Sequence, residues 1–300
     1  MEKFRRTMLF MPGNNPGMLQ NAAVLGADSI ILDLEDAVSI TEKDSARILV
    51  REAIKSIDYS GVEVIVRINP LSTEYGQIDL ETIATAKPDV IMLPKADEFQ
   101  VKTADETLIL IEKQMGLSEG CIKLMPIIET AYCLENISSI IKSSSRVIGV
   151  LLGAEDLTLD MGIKRTKEGE EIFYARSKIA IVCRALKVDA IDTPFTDTED
   201  YEGLQKDTLK AKGLGMTGKA AINPRQVETI KNIFAPDEKE IEKALKIIKA
   251  MEDANKEGKG VFSLDGKMID LPIISTAINT VALAKRLGLL ITQKEGEWYG

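Results

Sequence analysis

The chain has 300 residues, 45% of them hydrophobic and 28% charged, which is enough apolar material for a large core and is not a disordered composition. Its net charge of -9 excludes the basic face that a nucleic-acid binder needs, so no nucleic acid is expected as a partner. There is no histidine, which excludes Ser-His-Asp and Cys-His catalysis and histidine-held metals, and leaves acid–base or metal chemistry to carboxylates, lysine, arginine, tyrosine and cysteine.

The first apolar run, Met8–Met11, follows basic residues but ends in Pro12-Gly13 and is far too short for a signal peptide. Further runs follow at Ser29–Leu32, Val62–Ile68, Val90–Leu93, Leu124–Ile128, Val147–Leu152, Ala190–Ile191 (with Val188 before them) and Ala220–Ile222. Most carry Ile, Val and Leu on both faces, as strands of a buried parallel sheet do. Between them lie amphipathic stretches such as Lys43–Ile57, Glu98–Met115, Glu171–Leu186 and Tyr201–Lys212, with apolar residues three and four apart. Thr130 and Asp200 read as helix starts and Gly213 as a stop, and an eighth helix begins near Pro224.

Eight strand–helix units in about 235 residues predict a closed (β/α)8 TIM barrel over residues 1–235. An open doubly wound sheet would show a Gly-rich phosphate turn after its first strand, whereas this turn reads Pro12-Gly13-Asn14-Asn15-Pro16-Gly17. Residues 236–300 read as a C-terminal extension: a charged helix over Asp237–Glu257, a short hairpin over Gly260–Asp270 with Asp265-Gly266 as its turn, and a final helix over Leu271–Leu287. No run approaches the ~20 apolar residues of a membrane helix. Cys121, Cys133 and Cys183 have no metal-type or redox-type spacing, which suits a reducing compartment, so a cytoplasmic location is expected.

In such barrels the chemistry sits at the C-terminal ends of the strands. Polar residues follow seven of the eight runs: Asp33-Leu34-Glu35-Asp36, Arg67 with Asn69, Lys95, Glu129, Glu155-Asp156, Asp192 and Asn223. Glu129 and Asp156 leave neighbouring strands, about 4.8 Å apart in a sheet. Two acids so close repel unless a cation neutralises them, and Mg²⁺ is the natural choice where only carboxylates are on offer. The competing role for either acid is to cap the following helix. Arg67, between apolar residues, needs an anionic partner, either a substrate carboxylate or an internal salt bridge to Asp33, Glu35 or Asp36. A Schiff base at Lys95 is disfavoured, because the metal pair already offers an electron sink.

The ordered motifs Arg5-Arg6-Thr7-Met8-Leu9-Phe10-Met11-Pro12-Gly13, Asp33-Leu34-Glu35-Asp36-Ala37-Val38, Val66-Arg67-Ile68-Asn69, Leu93-Pro94-Lys95, Ile128-Glu129-Thr130 and Gly153-Ala154-Glu155-Asp156 resemble one family. It comprises the citrate lyase β subunits and the malyl-, citramalyl- and citryl-CoA lyases, within a broader superfamily of barrel aldolases. The resemblance runs from about Arg5 to about Asp270. Gly169–Arg176 and Gly218–Gln226 are similar to the citrate lyase branch, although relatives often carry His in place of Asn223.

The resemblance implies that Glu129 and Asp156 bind Mg²⁺ and that Arg67 binds a substrate carboxylate. It also implies a catalytic aspartate in Gly266-Lys267-Met268-Ile269-Asp270, so Asp270 is the candidate. In relatives this arm reaches a neighbouring subunit's active site, which implies a homotrimer or hexamer. The implied reaction is Mg²⁺-dependent cleavage of a citryl thioester, on acyl carrier protein or CoA, to oxaloacetate and an acetyl thioester, with citrate lyase α and γ subunits as partners. Malyl-CoA or citramalyl-CoA cleavage, a free 2-keto acid aldolase, and a non-catalytic scaffold are the alternatives.

Overall fold

The computed structural model describes residues 3–256, 262–264 and 267–290. The chain divides into two compact units, Met1–Lys231 and Asn232–Gly300.

The first unit is a closed barrel of eight parallel strands. These are β1 (Thr7–Pro12), β2 (Ser29–Asp33), β3 (Glu63–Arg67), β4 (Val90–Leu93), β5 (Lys123–Ile128), β6 (Gly149–Leu152), β7 (Asp189–Asp192) and β8 (Gly218–Ala221). The ring closes where Thr7 of β1 pairs with Lys219 of β8. Alternate residues point inward, and Met8, Ile31, Ile65, Met92, Met125, Ile127, Leu151, Ile191 and Ala220 form one packed cluster. Each of the larger side chains among them contributes roughly 1.5–3 kcal/mol. Because this plug is apolar, polar side chains that point into the barrel can gather only beyond its ends.

The helices of this unit are α1 (Pro16–Asn21), α2 (Lys43–Ser56), α3 (Gly76–Ala84), α4 (Glu98–Gln114), α5 (Ala131–Glu135), α6 (Ile137–Lys142), α7 (Ala154–Asp160), α8 (Phe173–Leu186) and α9 (Tyr201–Leu214), and α10 (Val227–Phe234) runs across its C-terminal boundary. The expected starts hold: Thr130 Oγ1 accepts from Cys133 N at 3.1 Å, and Asp200 Oδ1 accepts from Gly203 N at 2.9 Å. The expected stop moves by two residues. Gly213 stays inside α9, and Gly215, at φ 97°, takes the left-handed position that ends it.

In the second unit α11 (Glu238–Lys256) and α12 (Leu271–Arg286) pack around Ala244, Ile247, Ile269, Ile274, Ala277 and Val281. β9 (Phe262–Leu264) and β10 (Lys267–Ile269) pair antiparallel, with Leu264 opposite Lys267. The expected turn residues Asp265 and Gly266 lie outside the described residues. Among the described residues no helix is long and apolar enough to cross a membrane.

Candidate active site

β2 and β3 deliver the first half of the site. Their register sets Asp33 beside Arg67, the last residue of each strand. Arg67 grips Asp33 fork to fork, Nε to Oδ1 at 2.7 Å and Nη2 to Oδ2 at 2.6 Å. The remaining Nη1 lies 3.1 Å from Asp36 Oδ2 and 2.9 Å from Glu35 Oε2. The Glu35 contact is an ion pair off the hydrogen-bonding axis, so that buried oxygen has no hydrogen-bond partner in the protein. The Phe10 ring lies 5.0 Å from the guanidinium carbon. Burial works against the charge on Arg67, but Asp33, Glu35 and Asp36 outweigh it and hold the guanidinium protonated. The internal salt bridge expected as one role for Arg67 is therefore present: Asp33 takes the Nε/Nη2 edge, and Nη1 is shared between Asp36 and Glu35.

β5 and β6 deliver the second half. Glu129 directly follows β5 and is buried. Asp156 departs from expectation: it is not at a strand end but in the first turn of α7, because Gly153 turns the chain into that helix at once. The helix N-terminus favours a negative charge there. Gly153 is small for a spatial reason. A Cβ on it would meet Glu129 Cβ at 2.6 Å and Glu129 Oε2 at 2.7 Å.

Lys95 joins the two acids. Its peptide N–H donates to Glu129 Oε1 at 2.6 Å, and its Nζ lies 3.7 Å from Asp156 Oδ1. Its φ of 49° is left-handed, a conformation costing a non-glycine residue about 1 kcal/mol. Burial works against its charge, but Asp156, Glu129, Glu35 and Asp36 together raise its pKa. No sequence pattern announces that torsion, and nothing in the motif Leu93-Pro94-Lys95 signals the double contact.

Burial, then Glu35 and Asp156, push the Glu129 carboxyl up to about 8, against the pull of the Lys95 N–H and Arg67. Burial likewise pushes Glu35 up to about 7, with Arg67 opposing it. Arg67, Glu129 and Asp156 thus share one electrostatic cluster. Among the described residues no three or more acids or thiols stand together as a ready-made metal cage. The donor set still fits a small hard cation: two carboxylates, one driven toward protonation for want of positive charge, beside an orphaned carboxylate oxygen. Magnesium characteristically takes one or two protein carboxylates and fills its other positions with water and substrate.

Other candidates fall elsewhere. Asp192 does not face the mouth. It is fully buried in a network with Arg176 of α8 and Lys219 of β8, both of which also bond Asp207 of α9. Two cations and two anions so matched are a structural clamp. Asn69 is buried against Asp79 and the Leu34 carbonyl, and Asn223 caps the short turn before α10. Asp270 is exposed and caps α12, accepting from Ile273 N at 3.3 Å. A cleft of about 1420 Å³, lined by Arg5, Glu63, Lys123 and Asp189, lies at the opposite, N-terminal ends of the strands and holds none of these groups.

Comparison with known proteins identifies the family. The HpcH/HpaI aldolase/citrate lyase family matches residues 6–224. Citrate lyase subunit beta of Leuconostoc mesenteroides subsp. cremoris is 44% identical over 284 residues, covering 94% of each chain. Human mitochondrial citramalyl-CoA lyase is 32% identical, over 93% of this chain and 85% of its own. The crystal structure of CitE from Mycobacterium tuberculosis, in complex with magnesium, acetoacetate and coenzyme A, superposes with a TM-score of 0.77 at 27% identity, covering 93% of this chain and 98% of that one.

Proposed function

The chain belongs to the HpcH/HpaI aldolase/citrate lyase family and is a carbon–carbon lyase, and from that premise we propose that it cleaves a citryl thioester to oxaloacetate and an acetyl thioester. The thioester arm is acyl carrier protein or CoA, and the chain acts as the β subunit beside citrate lyase α and γ subunits. The greater identity to a citrate lyase β subunit than to citramalyl-CoA lyase favours this substrate over malyl-CoA or citramalyl-CoA. The three cysteines are unpaired, in keeping with a cytoplasmic setting.

The observation that carries the reading is the pair Glu129 and Asp156, tied together through Lys95 and electrostatically coupled to Arg67. Glu129 and Asp156 would hold Mg²⁺, as the charge-starved Glu129 carboxyl invites. Bound there, Mg²⁺ supplies Lewis acidity toward the hydroxyl and carboxylate oxygens of the substrate. Arg67, fixed from behind by Asp33, would exchange its Nη1 contact with Asp36 for the substrate carboxylate and orient the end that becomes oxaloacetate. The hydroxyl proton passes to water as the carbon–carbon electron pair moves to the thioester α-carbon and the C–O bond becomes the carbonyl of oxaloacetate. Asp270 then delivers a proton to that carbon, giving the acetyl thioester. In this reading the C-terminal unit of a neighbouring copy supplies Asp270, so a trimer or hexamer is the working form.

Turnover of citryl-, malyl- and citramalyl-thioesters, each with and without Mg²⁺, tests the proposal. Oxaloacetate release from the citryl thioester alone, and only with Mg²⁺, is expected. Faster release of glyoxylate from the malyl or pyruvate from the citramalyl thioester would reassign the substrate, and no turnover of any would leave a scaffold.

A further inference from the structure

Lys95 has no assigned part in the reaction, yet among the described residues it bonds one acid of the proposed metal pair and pairs with the other. Its peptide nitrogen and its side-chain nitrogen do different things. The peptide N–H makes a 2.6 Å bond to the buried Glu129. The ammonium stands 3.7 Å from Asp156, too long for a tight bond, with Lys95 45% and Asp156 35% exposed at their side chains. A left-handed lysine directly after Pro94 allows both contacts at once.

We infer that Lys95 is a positioning residue: its N–H anchors Glu129, while its ammonium stands beside Asp156 in place of a divalent cation and turns to the substrate carboxylate once such a cation takes Asp156. The inference rests on the reading of Glu129 and Asp156 as Mg²⁺ ligands. It follows from charge matching. A lone positive charge beside Asp156 keeps two neighbouring acids from repelling each other apart, but it must yield to a doubly charged ion arriving at the same carboxylate. Once displaced, the ammonium remains tethered at the mouth, next to the place where an anionic substrate meets the metal pair. Its charge therefore opposes metal binding and favours substrate binding.

The glycine variant separates the two nitrogens. Lys95→Gly keeps the peptide donor, adopts φ 49° without strain and removes only the ammonium. Calorimetric titration of the full-length protein with Mg²⁺ alone, and then with oxaloacetate in saturating Mg²⁺, gives opposite signs. The variant is expected to bind Mg²⁺ about threefold to tenfold more tightly and oxaloacetate about tenfold more weakly, with melting temperature unchanged or raised. Lys95→Arg, which restores the charge, is expected to return both constants to within about threefold of wild type. A general loosening of the site would weaken both ligands together. Lys95→Gly values within twofold of wild type for both ligands, or weaker Mg²⁺ binding, overturn this inference alone. Wild-type protein that binds no Mg²⁺ overturns it together with the reading on which it rests.

Discussion

Arg67 and Asp33 end adjacent strands and bind each other through two parallel hydrogen bonds, 2.7 and 2.6 Å long, with Asp33 itself pinned by the backbone N–H groups of Glu35 and Ala37. The guanidinium is thus aimed before any ligand arrives, and ligand binding need not supply that ordering. Asp33→Asn keeps the shape but loses the fork. Arg67 would retain Glu35 and Asp36 as charge partners, so stability should fall by only about 2 kcal/mol rather than the larger loss of an abandoned buried charge. Steady-state kinetics on the citryl thioester should show KM raised about tenfold with a smaller change in kcat. An equal loss in kcat alone would place Arg67's work in the transition state instead.

Glu129 shows the opposite balance, because its burial and the acids beside it disfavour its charge and raise its pKa to about 8. Glu129→Gln keeps an acceptor for the Lys95 N–H while removing the titratable acid. Magnesium binding should be lost by calorimetry and turnover should fall at least about a thousandfold. The melting temperature at pH 7 should stay level or rise, since a folded-state pKa of about 8 against the ordinary 4.5 means the acid must take up a proton on folding at pH 7, a cost that glutamine avoids. A clear fall in melting temperature would show that the carboxylate is structural.

The barrel was legible because its strands are apolar on both faces. Val90–Leu93 was readable to the residue, and the caps Thr130 and Asp200 announced their helices through short acceptor side chains. What pattern could not fix was where each polar residue points. Asp192 looked like a mouth residue because it ends a strand, but Lys219, opposite it in β8, and Arg176, sixteen residues earlier in α8, claim it from behind. Asp156 was displaced into a helix because Gly153 shortens the exit from β6. The left-handed turn at Lys95 depends on packing against Glu129, which only the closed barrel supplies.

Away from the site, Glu112 and Arg146 form a buried pair, Nη1 and Nη2 each 2.7 Å from one carboxylate oxygen. Burial alone would raise the Glu112 pKa. The Arg146 bonds and the N–H groups of Ile122 and Gly120 outweigh it and bring the carboxyl down to about 2 from 4.5. A depressed folded pKa gives stability that is fully present above 4.5 and drains away as pH falls toward 2. Glu112→Gln should therefore cost about 3 kcal/mol by denaturant unfolding near pH 7. The gap to wild type should hold down to about pH 4.5 and narrow below it, and a gap independent of pH would show that the charge of Glu112 contributes nothing.

Gly153 offers a test of the site that removes no functional group. Its φ of -93° suits any residue, so a glycine is required there for space rather than torsion. An alanine Cβ would press on Glu129 Cβ at 2.6 Å, Glu129 Oε2 at 2.7 Å and Ile127 Cγ2 at 3.0 Å, all in a packed interior that yields poorly. Gly153→Ala should cost about 2 kcal/mol through overpacking and, by turning Glu129 aside, weaken Mg²⁺ at least about tenfold. Gly17→Ala is the control, because the added methyl would meet nothing nearer than Asn15 Oδ1 at 3.5 Å. If Gly153→Ala lost stability like any crowded core variant yet bound Mg²⁺ as wild type does, Glu129 could not be the ligand that its neighbours make it.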